Sequence, residues 1–247
     1  MSDVPYSWLA NHYNQLMGHV NYASWATSIQ KILKRTKRSP KSILELGAGT
    51  CRLAEMLQIP SLVRRVHTDL SFQMLRAAPE PFPFPRAVCD ATRLPFAPGF
   101  DLVLMCYDAV NYLDSDQIQD LFVEVERVLS DNGLFVFDVT TEENSLQWFE
   151  EYVDAFEASG GMVVRRSQYD AADKIQHNYF DYFMPAGQGD LYQRRSEHHV
   201  QHIHSIPALC EWLGNHGLKV IDLLDAQTLR DATPRSERIQ FLVERER

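Results

Sequence analysis

The apolar residues of this chain follow two different patterns. From Ser42 to Val139 they come as short, nearly unbroken runs at Ser42–Leu46, Val63–Thr68, Arg86–Cys89, Phe100–Cys106 and Leu134–Val139. Such runs mark strands covered on both faces. Helix-like segments lie between them at Thr50–Leu57, Ser71–Ala78 and Ser115–Leu129. Ser71 suits an N-cap, because its side-chain oxygen can accept a free backbone N–H. The alternating prolines of Pro79–Pro85 exclude helix and central strand, so that segment reads as an extended loop. Asp131-Asn132-Gly133 reads as a turn before the fifth strand. Strands alternating with helices predict a doubly wound α/β domain with right-handed crossovers.

From about residue 160 the pattern changes to period-two alternation, with turn signals at Ala171-Ala172-Asp173 and Gly187-Gln188-Gly189. This predicts a three-stranded antiparallel meander. Ser205–His216 then reads as a helix stopped by Gly217, and Leu218–Leu224 and Arg238–Glu244 as two closing strands. The first forty residues are helical and aromatic, with Tyr6, Trp8, Tyr13, Tyr22 and Trp25. The expected organisation is a helical cap at 1–41, a core at 42–159 and 205–247, and an antiparallel β insertion at 160–204.

Composition narrows the function. The chain has 247 residues and a net charge of −9, which disfavours nucleic acid and anionic membrane surfaces as partners. No apolar run approaches the ~20 residues of a membrane span, and the N-terminal residues lack the pattern of a signal peptide. The four cysteines, at 51, 89, 106 and 210, show no ligand spacing and read as thiols of a reducing compartment, the cytoplasm. A monomer or homodimer is expected.

Ligands of a doubly wound sheet bind beyond the carboxyl ends of its strands. Those ends carry Gly47 and Gly49, then Asp69, Asp90 and Tyr107-Asp108, spaced 22, 21 and 18 residues apart. Glycines let the backbone approach a ligand closely. Asp69 can accept hydrogen bonds from both hydroxyls of a ribose, and Asp90 can accept from an exocyclic amine such as that of adenine. A nicotinamide dinucleotide requires a further glycine three residues after Gly49, where this chain has Arg52. S-adenosylmethionine (SAM) has no pyrophosphate and tolerates that residue. Glu45 can orient the turn and add negative charge near the SAM ammonium.

These residues resemble the class I SAM-dependent methyltransferases. The likeness rests on Ile43-Leu44-Glu45-Leu46-Gly47-Ala48-Gly49-Thr50, Thr68-Asp69-Leu70-Ser71, Cys89-Asp90-Ala91, Phe100-Asp101-Leu102-Val103 and Gly133-Leu134-Phe135-Val136-Phe137-Asp138. The flanks resemble a narrower group of small bacterial members, through Tyr13-Asn14-Gln15-Leu16-Met17, Asn111-Tyr112-Leu113, Glu197-His198-His199 and Ser236-Glu237-Arg238. Cys51 and Ala48 depart from the commonest form of the glycine loop.

The resemblance implies a Rossmann-like, mostly parallel seven-stranded sheet with the insertion as a substrate lid. It implies that Gly47, Ala48 and Gly49 contact the methionine part of SAM and that Asp69 binds the ribose. Leu70 and Met74 then pack on the adenine, while Asp90 and Ala91 meet its amine. Cys106 and Tyr107 lie beside the methionine part, Tyr13 closes over the cofactor, and Trp25 is either a cofactor contact or a core residue. The expected reaction moves a methyl group from SAM to an oxygen or nitrogen of a small molecule, leaving S-adenosylhomocysteine. A tRNA or protein acceptor, or SAM binding without transfer, are the alternatives. Asp108, Tyr112 and His199 are candidate proton acceptors. On a strand His198, His202 and His204 would share one face, which raises a metal site, though a lid or substrate surface fits them better.

Overall fold

A computed structural model of the protein describes residues 5–60, 62–148, 150–158, 160–187 and 191–246. In chain order it contains α1 (Ala10–Leu16), α2 (Tyr22–Arg35), β1 (Ser42–Glu45), α3 (Arg52–Met56), β2 (Arg64–Asp69), α4 (Phe72–Arg76), β3 (Arg86–Val88) and β4 (Phe100–Met105). Then follow α5 (Ser115–Val128), β5 (Leu129–Thr140), α6 (Glu142–Ser145), β6 (Tyr152–Ala158), β7 (Gly161–Asp170), β8 (Ile175–Pro185), β9 (Tyr192–His202), α7 (Ile206–Asn215), β10 (Leu218–Asp225) and β11 (Arg238–Arg245).

Seven strands form one sheet in the order β10-β11-β5-β4-β1-β2-β3. The pairings β2–β3, β1–β2, β1–β4 and β4–β5 are parallel, while β11 runs against both β5 and β10. The chain winds outward from β1 through β2 to β3, then returns to the other side of β1 at β4. That reversal opens a crevice at the carboxyl edge. The fold is the expected mostly parallel, Rossmann-like sheet.

The two sheet faces are covered for different local reasons. On one side α5 presents Ile118, Leu121, Phe122, Val125 and Val128, at helical spacing and fully buried. Each contributes about 1.5–3 kcal/mol of transfer free energy as an upper bound. Asp114 and Gln117 close a capping box at its start. On the other side α2 buries Ala26, Ile29, Ile32 and Leu33 against Ile43, Leu102, Leu104 and Leu134. Ser71 and Ser205 cap α4 and α7 with their side-chain oxygens. Gly217, at φ +70°, stops the chain after α7 as read from the sequence.

Two elements differ from the sequence reading. The antiparallel sheet has four strands, β6-β7-β8-β9, and begins at Tyr152 rather than near residue 160. The added strand, β6, is an edge strand with an exposed face, so its polar positions mask it in the sequence. Asp131–Gly133 is a bulge inside β5 rather than a turn before it. The register slips there from Phe100 opposite Leu129 to Leu102 opposite Leu134. A Cβ at Gly133 would lie 2.7 Å from Leu129 and 2.9 Å from two carbonyl oxygens, so only glycine fits the bulge. At the Ala171-Ala172-Asp173 turn, Asp170 accepts the N–H groups of Ala172 and Asp173. Gln188 and Gly189 of the other expected turn lie outside the described residues.

The inner face of the second sheet packs Val163, Phe180 and Tyr182 on the N-terminal segment. Leu9 is buried there, and the Trp8 ring stacks on Tyr182 at 5.4 Å.

Candidate active site

β1 ends at Glu45, and the backbone then turns sharply. Gly47 and Gly49 have φ of +62° and +57°, and Cys51 before α3 is also left-handed. At Gly47 space as well as φ demands glycine, since a Cβ would sit 2.9 Å from that of Ala109; at Gly49 the left-handed φ is the reason, because the Met74 methyl 3.1 Å from a Cβ is the end of a flexible side chain. The loop is pinned to β2 by Ala48 N–H donating to the Thr68 carbonyl at 2.8 Å. It is pinned again at Asp69, whose Oδ2 accepts the Gly49 N–H and whose Oδ1 accepts the Ser71 N–H, both at 2.8 Å. Burial pushes the Asp69 carboxyl up, and the two N–H donors only partly offset it.

Glu45 is buried, and its Oε2 lies 2.5 Å from Nδ1 of His67, its register partner on β2. The imidazole is enclosed by the Phe82 and Phe84 rings of the proline-rich loop. That loop therefore walls off the hydrogen-bonded pair from behind.

At the end of β4, Tyr107 and Asp108 are both left-handed, with φ of +65° and +61°. Asp138 of β5 holds this strained turn. It accepts the Tyr107 N–H at 2.5 Å and the Asp108 N–H at 3.1 Å. Arg238 of β11 pairs with Asp138 at 2.7 Å and with both oxygens of Asp108. Its guanidinium lies 4.9 Å from the Tyr107 ring centroid and 5.7 Å from that of Trp25. Burial pushes the Asp138 carboxyl up despite Arg238. Asp108 is thereby committed to a structural ion pair, which argues against its expected role as a free base.

The opposite wall is aromatic. Tyr6 packs edge-on against Tyr13 at 5.3 Å, and its hydroxyl lies 2.6 Å from that of Tyr112. The Tyr112 hydroxyl is 3.1 Å from Nδ1 of His199, whose Nε2 is 2.9 Å from Glu197. Glu197, on β9, also accepts the N–H groups of Tyr6, Trp8 and Leu9 and the Ser7 hydroxyl, at 2.7–3.2 Å. Burial raises the Glu197 carboxyl, but these donors and His199 outweigh it and hold it below the usual carboxylate range. Burial pushes the Tyr6 and Tyr112 hydroxyls well above their ordinary range.

One cleft of about 170 Å³ joins these parts at the carboxyl edge of the sheet. Tyr13, Trp25, Glu45, Gly47, Ala48, Gly49, Asp69, Leu70, Met74, Asp90, Ala91, Cys106 and Tyr107 all line it, as does Tyr112. Asp108 and His199 lie behind the wall rather than on it. Asp90 is exposed, and its Oδ1 accepts the N–H and the hydroxyl of Thr92. Burial pushes the Cys51 thiol up to about 12 and the Cys106 thiol well above its ordinary value, so neither is a thiolate at neutral pH.

Sequence reasoning did not assign Tyr6, Arg52, Leu53, Ser71 or Met105, which also line the cleft. Ser71 and Met105 are adjacent to expected elements, whereas nothing local marks Tyr6. The histidines do not converge. His198 pairs with His177 at 2.9 Å on the outer face of β8 and β9, while His204, past the end of β9, bonds the Leu113 carbonyl.

Residues 43–133 match the methyltransferase domain family. A protein of Geobacillus sp. (strain WCH70), whose name assigns it provisionally to the methyltransferases, is 26% identical across 98% of this chain and its own full length. The fold is shared with a SAM-dependent methyltransferase from Clostridium acetobutylicum ATCC 824, at TM-score 0.81 and 24% identity, over 98% of this chain and 99% of that one. It is also shared with SAM-bound CalS10, an amino pentose methyltransferase from Micromonospora echinaspora, at TM-score 0.67 and 16% identity, over 92% of both chains.

Proposed function

We propose that this chain, whose residues 43–133 match the methyltransferase domain family, is a class I SAM-dependent methyltransferase that methylates an oxygen or nitrogen atom of a small molecule. The observation that carries the reading is the convergence of Gly47, Gly49, Glu45, Asp69, Asp90 and Met74 on one cleft. The donor set suits SAM. The glycine cradle is a space that a Cβ would fill, and Asp69 keeps lone pairs beyond its two backbone bonds for ribose hydroxyls. The Glu45 carboxylate suits an ammonium, and Leu70, Met74 and Ala91 offer apolar surface to an adenine. When bound, SAM supplies a methyl group on a sulfonium, a good leaving group.

The protein then needs mainly to align and desolvate, which can contribute ~7–11 kcal/mol. Aromatic rings and a narrow cleft favour a small acceptor, and CalS10 acts on an amino pentose. A net charge of −9 disfavours a tRNA acceptor. Unpaired, mostly buried cysteines support a cytoplasmic setting. No helix among the described residues is long and apolar enough to cross a membrane.

Calorimetry with SAM, S-adenosylhomocysteine and NAD tests the reading. Micromolar binding of the first two and none of NAD is expected. Binding of NAD with no response to S-adenosylhomocysteine would overturn it.

A further inference from the structure

We propose that Tyr112, His199, Glu197 and Tyr6 form a proton-accepting chain that suits the cleft to a hydroxyl acceptor. The inference rests on the transferase reading above and adds the class of the acceptor group.

The geometry fixes the direction of the chain. Glu197 is an anion fed by backbone N–H groups, so it only accepts, and the Nε2 of His199 must carry the hydrogen between them at 2.9 Å. The neutral imidazole then turns an Nδ1 lone pair toward Tyr112, which donates its hydroxyl hydrogen at 3.1 Å. With that hydrogen committed, Tyr6 donates to Tyr112 at 2.6 Å. The Tyr112 oxygen keeps one lone pair, and its side chain lines the cleft. The imidazole is 1% exposed and packed between the Tyr6 and Phe180 rings, at 4.5 and 5.0 Å. It cannot exchange protons with the cleft except through Tyr112.

The step balances. The acceptor hydroxyl passes its proton to Tyr112 Oη as the tyrosine's own proton moves to Nδ1 of His199. The acceptor oxygen forms its bond to the methyl carbon as the C–S electron pair returns to sulfur, and a neutral thioether leaves. The new imidazolium is stabilised by Glu197. Tyrosinate is never a resting state, because burial holds both hydroxyls protonated. Tyr112 is the catalytic residue; His199 and Glu197 are positioning residues that act through it. A neutral amine attacks through its lone pair and sheds its proton to water afterwards, so it has no use for such a sink. A hydroxyl does.

The charged and titratable groups facing the imidazole are Glu197 from its own strand, Tyr112 from the turn after β4 and Tyr6 from the N-terminal segment. His198 lies within electrostatic reach, and Asp108 acts on both tyrosines.

Two measurements test the chain. Histidine ¹⁵N NMR of the full-length protein is expected to show His199 protonated at Nε2 and bare at Nδ1. In Tyr112→Phe the Nδ1 resonance should shift while Nε2 stays. A resonance showing the opposite tautomer would overturn the chain regardless of activity. The second uses methyl-labelled SAM and a small-metabolite extract as the acceptor probe, followed by the pH profile on the purified labelled product. Expected are an O-methyl product and a wild-type rate that falls in acid, where the proton-accepting chain is filled. His199→Asn and Tyr112→Phe should lower kcat ~10²-fold or more, with that acid limb lost and SAM affinity within about twofold. An N-methyl product, or an unchanged acid limb in folded His199→Asn, overturns the chain while leaving methyl transfer intact. A wild-type protein that binds SAM but labels nothing overturns the transferase reading and the chain with it.

Discussion

The Gly49 amide donates to Oδ2 of Asp69 across the gap between β1 and β2, at 2.8 Å. One carboxylate therefore serves as both latch of the glycine loop and candidate ribose acceptor. Asp69→Ala is expected to weaken SAM binding by ~30–1,000-fold, from charge-assisted bonds of ~1.5–3 kcal/mol each. It should also lower the melting temperature of the free protein by several degrees, because the Gly49 and Ser71 amides lose their acceptor. Asp69→Asn, which keeps one acceptor oxygen, should fall between. Calorimetry and a melt on each variant decide. An affinity within twofold of wild type in Asp69→Ala would leave only the latch.

Removing Arg238 strands two carboxylates, one of them fully buried. Arg238→Met is expected to cost ~3–5 kcal/mol, the usual penalty for breaking a buried pair. The cost should depend on pH. Burial raises the Asp138 carboxyl in the fold, and losing the cation raises it further. A group raised in the folded state contributes stability below its unfolded value and loses it as pH rises through the folded one. The deficit of Arg238→Met should thus shrink as the solution is acidified from neutrality. Melting curves across that range, beside Arg238→Met combined with Asp138→Asn, check it; a deficit independent of pH would contradict the account.

Gly47→Ala meets two penalties that can be separated. The left-handed backbone costs roughly 1 kcal/mol for a Cβ, and the approach to Ala109 adds a steric part. Adding Ala109→Gly should recover the steric part alone. The single variant is expected to lose at least about tenfold in SAM affinity, read by calorimetry, with the double variant intermediate. Equal affinities for the two would show that the Ala109 approach is immaterial.

Glu197 anchors the N-terminal segment, and its carboxyl is held low in the fold. A depressed acid contributes stability above its unfolded value and loses it as pH falls through the folded one. Amide protection at Tyr6, Trp8 and Leu9 should therefore be high near neutrality and collapse in acid. In Glu197→Ala it should be low throughout, by tenfold or more. Hydrogen exchange of those three amides, with β4 as an internal reference, measures this. Protection unaffected by the substitution would remove the anchor.

The cofactor side of the cleft was legible because a parallel sheet brings every strand's carboxyl end to one edge. Gly47, Asp69, Asp90 and Tyr107 each end a strand, so their spacing alone placed them together. Asp108 was equally visible as a strand-end acid, but its counter-ion comes from β11, 130 residues later. No local pattern encodes that pairing, and one of the three candidate bases is half of an ion pair. Tyr112 and His199 were named separately. What joins them is the docking of β9 behind the turn after β4 through polar contacts, such as Asn111 Nδ2 donating to the His202 carbonyl at 2.8 Å, to which hydrophobic period gives no register. Tyr6 was read only as part of an aromatic cap, because its role depends on Glu197.

The clamp of Glu197 on residues 6–9 spans about 190 positions of sequence. During synthesis the first-made part of the aromatic wall must wait for nearly the last-made part before it can dock, ~10–40 s at usual elongation speeds. The glycine loop and Asp69 emerge much earlier and need no such partner. A nascent chain stalled before residue 197 would thus carry the glycine loop and Asp69 with the roof undocked and with the turn after β4 still lacking Arg238, so the ribosome sets when both walls of the cleft can close.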